Sequence, residues 1–329
     1  MARELSVENA STRIAGAHAG CAIRARAHPV NAAVRTHWFA NAYLLLTLTT
    51  VFWAGNAIAG KLAAGVVTPV TLTFLRWLLA SLLIVLLARA HLRRDLRTLR
   101  RHWLLVFLLG GLGFAAFNLL LYAALNYTSA INVTIEQSAM PVMVMVVNFI
   151  AFRQRIRALQ ALGVVATILG VVVTATRGAP LTLLDVGINR GDAIMMGAVL
   201  LYALYTVALR LKPQVHWMSL LAAMAISALV FVTPFFIHEV ARGAFVQPGL
   251  RGWMIVAYTA VFPSVMSQLF FMRGVELIGS NRAALFINLV PIFGSLLAVV
   301  LLGESFRPHH LLSLMLVFSG IGMAERFGR

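Results

Sequence analysis

The sequence predicts an all-α integral membrane protein with ten transmembrane helices arranged as two inverted five-helix repeats. Three observations carry this prediction. Of 329 residues, 61% are hydrophobic and only 11% charged, with a mean hydropathy of +0.89, which leaves too little polar surface for a soluble domain of this length. Ten mostly apolar stretches follow one another, and a span needs about 20 such residues. Finally, a shift of 150 residues lays the second half on the first: Trp103 meets Trp253, Pro141 meets Pro291, Arg157 meets Arg307 and Gly170 meets Gly320. An odd number of spans per copy makes the second copy enter the bilayer from the opposite side, a recurring plan of carriers that open alternately to two compartments.

The first span, 40–64, sets Trp53, Asn56 and Gly60 on one face at i, i+3 and i+7. The second, 69–88, opens at Pro69, contains Arg76 and gives way to a basic run from Arg89 to Arg101. The third, 103–126, aligns Phe114, Asn118 and Tyr122 at i, i+4 and i+8, an amide between two rings. The fourth, 129–152, holds Asn132, Glu136, Gln137, Pro141 and Asn148; an eleven-residue step brings Asn148 back to the angle of Gln137. The fifth, 158–176, carries Gly170. In the second half, 191–211 places Tyr202 beside Tyr205, 217–237 is mostly apolar, and 253–276 offers Gln268 with Ser264 as mates of the third-span face. The ninth, 281–303, has Asn288 and Pro291, and the tenth, 309–324, has Gly320.

Charge placement orients the chain. With the N-terminus inside, inner segments hold nineteen Lys and Arg and outer segments six, so the net charge of +17 follows the positive-inside rule and serves anionic lipid headgroups rather than nucleic acid. Residues 1–38 read as a disordered basic cytoplasmic tail; the single cysteine, Cys21, lies there and allows no internal disulfide. Two segments of repeat, 39–176 and 190–325, make up the rest. Both termini are expected on the inner side of a multi-pass membrane protein.

Enzyme motifs are absent in substance. Gly111, Gly113 and Ala116 match a dinucleotide-binding glycine pattern, but inside an apolar span with no preceding strand, where small residues serve close helix packing. His238-Glu239 opens a zinc-protease pattern that Arg242 breaks, and Ser319-Gly320 lacks the upstream glycine of a serine-hydrolase turn. No catalytic residue, metal site or cofactor is expected.

Polar groups within the spans are costly in lipid and therefore mark candidate pathway residues. These are Trp53, Asn56, Asn118, Tyr122, Glu136, Gln137, Gln268 and Asn288. Glu136 reads as the only acid well inside a span, with two roles open: the pathway, or a structural pair with Arg76 or another buried cation. Pro141 and Pro291 each remove an amide hydrogen, freeing the carbonyls of Gln137 and Ile287, so both helices are expected to bend or break facing the protein interior. Lys61 and Arg210 match across the repeat and are candidate gates, with snorkelling to headgroups as the plainer role. Glu304 with Arg307 reads as a turn contact at an outer helix end.

Several of these residues together resemble a known family. A first span reading Phe52-Trp53-Ala54-Gly55-Asn56 and ending in Lys61, a second opening at Pro69 with Arg76, a fourth running from Ser129-Ala130 to Pro141, and a ninth ending Leu302-Gly303-Glu304 before a Gly320-containing tenth are similar to the EamA-type branch of the drug/metabolite transporter superfamily. The resemblance covers residues 40–324. It implies ten helices in two inverted repeats around a central cavity, and export of small metabolites, often amino acids, by alternating access, with Arg76 in a mostly structural role. One departure stands out: the first-half counterpart of Gly303-Glu304 is Arg153-Gln154, where related chains often keep an acid. Expected partners are a small-molecule substrate and membrane lipid; coupling to a proton through Glu136, another substrate class on the same fold, and a non-transporting receptor or assembly protein stay open.

Overall fold

The computed structural model describes residues 37–153, 158–179 and 189–326. Residues 1–40 form one unit, of which only the 3-10 turn His37–Ala40 is described. The expected tail with Cys21, and Gln154 among the departures noted above, lie outside the described residues. Residues 41–329 form a second compact unit, with no strand among the described residues.

Helix starts are fixed by side chains that accept the first free amides. The Asn41 carbonyl oxygen accepts from the Leu44 amide (3.1 Å) and starts α1, Ala42–Ala63. The Thr68 hydroxyl accepts from Thr71 (3.1 Å), and Pro69 follows at the tolerated first position of α2, Pro69–Arg101. Helix α3, Trp103–Ala124, comes next. Ser129 caps α4, Ala130–Gln137, through the Asn132 amide (3.1 Å); α5, Met140–Phe152, and α6, Ala158–Ala175, complete the first half. Asn189 caps α7, Arg190–Ala208, through Gly191 (2.7 Å). Then come α8, Trp217–Ala241, α9, Leu250–Ile278, α10, Ser280–Ile287, α11, Val290–Leu302, and α12, Pro308–Arg326.

Among the described residues, eight helices are long and apolar enough to cross a membrane, or nine when α4 and α5 count as one bent span. The apolar part of α12, Pro308–Met323, is shorter. Large apolar side chains such as Leu86, Ile150, Val230, Val300 and Met315 stand more than half exposed, the reverse of a water-soluble surface and the pattern lipid requires. Helix α2, at 33 residues, is about 50 Å long, against a hydrocarbon core of about 30 Å; its basic end from Arg89 onward extends past the apolar part.

Both expected bent spans are interrupted. Helix α4 stops at Gln137 and α5 begins at Met140, with a bend of 41° between them; α10 stops at Ile287 and α11 begins at Val290. The proline stands second in each continuing helix, where its missing amide hydrogen does least harm. The break also corrects one expectation: Gln137 and Asn148 do not share a continuous helix, so the eleven-residue alignment fails.

A second symmetric irregularity has no counterpart in the sequence reading. Helices α3 and α9 each widen into π-helix, over Gly111–Ala116 and Ala260–Met266. In α9 the cause is visible. Pro263 cannot donate to the Thr259 carbonyl, and the Ser264 hydroxyl donates to that oxygen instead (2.8 Å). The Ser267 hydroxyl does the same for Phe262 (3.0 Å).

Packing joins equivalent helices and exchanges partners between the halves. Helix α6 lies against α12 and α2 against α8; α1 packs on α9 and α11, as α7 packs on α3 and α5. Gly170 and Gly320 permit the first of these contacts. A side chain at Gly170 would strike the Ser313 carbonyl (2.9 Å) and Val317 (2.8 Å), and one at Gly320 would strike the Gly163 carbonyl (2.5 Å) and Thr167.

Candidate functional site

At the centre lies a buried polar node built around Arg76 of α2, which is 4% exposed. Its Nη1 donates to Asn56 Oδ1 of α1 (2.9 Å), to Asn118 Oδ1 of α3 (2.6 Å) and to the Tyr122 hydroxyl. Its Nε donates to Ser264 Oγ of α9 (2.7 Å). Around the cation the acceptors are locked to one another: Tyr122 donates to Asn56 Oδ1 (2.7 Å), Asn56 Nδ2 to Asn118 Oδ1 (3.2 Å), and Asn118 Nδ2 to the Phe114 carbonyl (2.7 Å).

Local structure explains why these groups meet. Tyr122 reaches Asn56 because Gly60, one turn along α1, has no side chain; a Cβ there would lie 2.6 Å from the Tyr122 ring. The Tyr258 hydroxyl sits on Gly55 in the same way. The Phe114 carbonyl lies within the π segment of α3, and Ser264 within that of α9, so both π turns supply the node.

Aromatic rings surround it. The guanidinium lies 5.2 Å from the Trp77 ring and 6.0 Å from the Tyr122 ring. Trp77 stacks on Phe114 at 4.8 Å, Phe114 meets Tyr205 at 6.0 Å, and Tyr205 meets Tyr202 at 5.4 Å. The row thus runs from α2 through α3 to α7.

Of the expected pathway residues, Asn56, Asn118 and Tyr122 come together here. Arg76, assigned a structural role by resemblance, is their hub, and Ser264 rather than its turn-mate Gln268 reaches it. Trp53 pairs instead with Phe271 of α9 at 5.5 Å. Asn288 lies in the break between α10 and α11. Gln137 ends α4, its buried Nε2 without a partner.

Glu136 occupies a different site, and one of the alternatives open for it falls away. It does not pair with Arg76: it is fully buried, and neither carboxylate oxygen has a hydrogen-bond partner. A second acid stands beside it: Asp192, in the first turn of α7 and 2% exposed, faces Glu136, Asn132 and Thr128. Asp192 is brought there by Gly191, at which a Cβ would lie only 2.9 Å from the Ala124 carbonyl and from Thr128. Sequence reading passed over Asp192 because an acid in a first turn is the ordinary complement of the helix dipole.

Thr128 and Asn132 also line a cavity of about 440 Å³, together with Lys61, Arg177, Glu304 and Arg307. Lys61 neither snorkels nor pairs with an acid. Its Nζ donates to the carbonyls of Leu125 (2.9 Å) and Thr128 (2.7 Å), closing the C-terminus of α3. Arg210, exposed, lies over the Phe152 ring at 5.7 Å. Glu304 does not bond Arg307; its two oxygens accept from the Ala130 (2.8 Å) and Ile131 (3.0 Å) amides at the start of α4. Glu239, the acid of the broken zinc pattern, accepts from the hydroxyls of Thr68 (2.7 Å) and Thr71 (2.6 Å).

Comparison with known proteins agrees with this architecture. Residues 40–176 and again 189–325 match the EamA-like transporter family. The chain is 25% identical over 286 residues to the uncharacterized transporter YyaM of Bacillus subtilis, covering 85% of this chain and 92% of that protein. It is 28% identical over 267 residues to an uncharacterized transporter of Archaeoglobus fulgidus, covering 80% and 89%. A protein of known crystal structure shares the fold with a TM-score of 0.60 at 18% identity, over 87% of this chain and 96% of that one.

Proposed function

The chain belongs to the EamA-like transporter family, and from that premise we propose that it is a secondary transporter, not an enzyme, that exports amino acids or related small metabolites by alternating access. The proposed frame is ten helices in two inverted repeats in a bacterial inner membrane, with both termini cytoplasmic. The observation that carries the reading is the node at Arg76. It joins α1, α2 and α3 of the first matched segment to α9 of the second through one cation and four neutral polar side chains. A site held by both repeats changes its surroundings when one repeat moves against the other.

In this reading the amides and hydroxyls of the node hydrogen-bond polar groups of the solute, and Trp77, Tyr122 and Tyr205 enclose its apolar part. Pro141 and Pro291 mark the hinges. Trp53, Gln137, Gln268 and Asn288 line the route on either side of the node. Lys61 and Arg210 act as gates by holding and releasing helix ends.

The carboxyl pair Glu136–Asp192 is the proposed proton carrier. In this reading a proton reaches the two facing carboxyls from the cavity along Asn132 and Thr128. Lys61 is committed to carbonyls and Glu304 to amides.

Reconstitution tests the whole reading. Proteoliposomes loaded with labelled neutral amino acids, assayed with and without a pH gradient, should lose label faster than protein-free vesicles. Flux equal to that of empty vesicles across the amino-acid panel overturns the proposed substrate class.

A further inference from the structure

We infer that Arg76 is an anion anchor, receiving the carboxylate of the transported solute on its free guanidinium edge. The inference rests on the transporter reading and specifies what its site selects.

Counting charges and donors leads there. Arg76 is a permanent cation with four protein acceptors, and all four, Asn56, Asn118, Tyr122 and Ser264, are neutral. Every acid whose side chain is described is engaged elsewhere. Asp95 accepts from the His216 amide, Glu136 faces Asp192, Glu239 takes two threonine hydroxyls, Glu276 pairs with Arg273 and Glu304 holds two amides. The buried cation therefore has no counter-charge among the described residues, an arrangement that is costly until an anion arrives.

Donor geometry places the anion. Nη1, with two hydrogens, faces three acceptors, whereas Nη2 donates to no described residue. A carboxylate needs parallel N–H groups on one planar fork; Nη2 supplies two hydrogens, and the crowded Nη1 can yield one by releasing an acceptor. Trp77 and Tyr122 beside the guanidinium exclude water from such a pair. The ligand class is thus a small carboxylate with an apolar body. An inorganic anion shares the charge and not the body.

Three probes that share one carbon skeleton separate the possibilities in proteoliposomes holding the full-length protein: L-leucine, L-leucinamide and 4-methylpentanoate. Leucine and 4-methylpentanoate should be carried or should compete with one another, with leucinamide at least about tenfold weaker, since a site built for one polar group discriminates against its absence. Arg76→Gln, checked for insertion and monodispersity, should erase that preference, and Arg76→Lys should restore part of it. If the Gln variant does not fold, the wild-type probe series decides alone. Equal handling of leucine and leucinamide overturns the anchor while leaving a transporter. Chloride competing with transport, with no preference for carboxylates, replaces the solute by an inorganic ion and likewise overturns it. No flux of any probe removes the transporter reading and the anchor together.

Discussion

At the scale of single residues, the node makes a cooperative prediction. Tyr122 both donates to Asn56 and accepts from Arg76, so Tyr122→Phe removes one hydroxyl and leaves two buried groups short of a partner. A loss of about 1–3 kcal/mol is expected, seen as a lower unfolding temperature in detergent together with reduced flux; unchanged stability would show that water replaces the hydroxyl. Glu136→Gln and Asp192→Asn should each permit insertion and abolish the pH dependence of flux between pH 5.5 and 8. An unaltered pH profile in both variants removes the pair from coupling. Asn56, Asn118 and Tyr122 were legible in the sequence because amides in apolar helices stand out. Arg76 was visible but its partners were not, since which of several buried polar groups a long side chain reaches depends on how four helices cross. Asp192 was hidden by its unremarkable place in a first turn.

At the scale of elements, the interruptions are the informative features. The two proline breaks could be anticipated from a missing amide hydrogen. The π turns could not: Pro263 has no proline partner at the matching place in α3, where Gly113 lies against Tyr205 instead, so close packing and a missing donor reach the same backbone by different routes. Ser264→Ala should therefore do two things, leaving the Thr259 carbonyl open and depriving Arg76 Nε of its acceptor. A milder Ser264→Thr keeps the hydroxyl and should keep both. Comparing the flux and thermal stability of the two variants checks the assignment; equal loss in both would mean that crowding, not hydrogen bonding, governs this turn.

For the whole molecule, spans and repeat were readable because hydropathy and a 150-residue register survive without any knowledge of packing, whereas the exchange of partners between halves is a property of the assembled bundle alone. Orientation remains a proposal with a direct check: in a Cys21→Ser background, single cysteines at Arg177 and Arg251 should be labelled by an impermeant reagent from outside the cell. Labelling only after the inner face is opened would reverse the topology. The clasp of Glu304 on the first amides of α4 carries a larger consequence. Its place in the other half belongs to Gln154, a side chain without charge, so the sequence puts a carboxylate at one doorway and an amide at its twin. A single capping interaction is worth about 1 kcal/mol, enough to make the latched posture several times more populated than its mirror image. The solute would then meet unequal affinities from the two compartments, a rectifying bias written into one carboxylate. Glu304→Gln should flatten that inequality, and Gln154→Glu should do so from the opposite side.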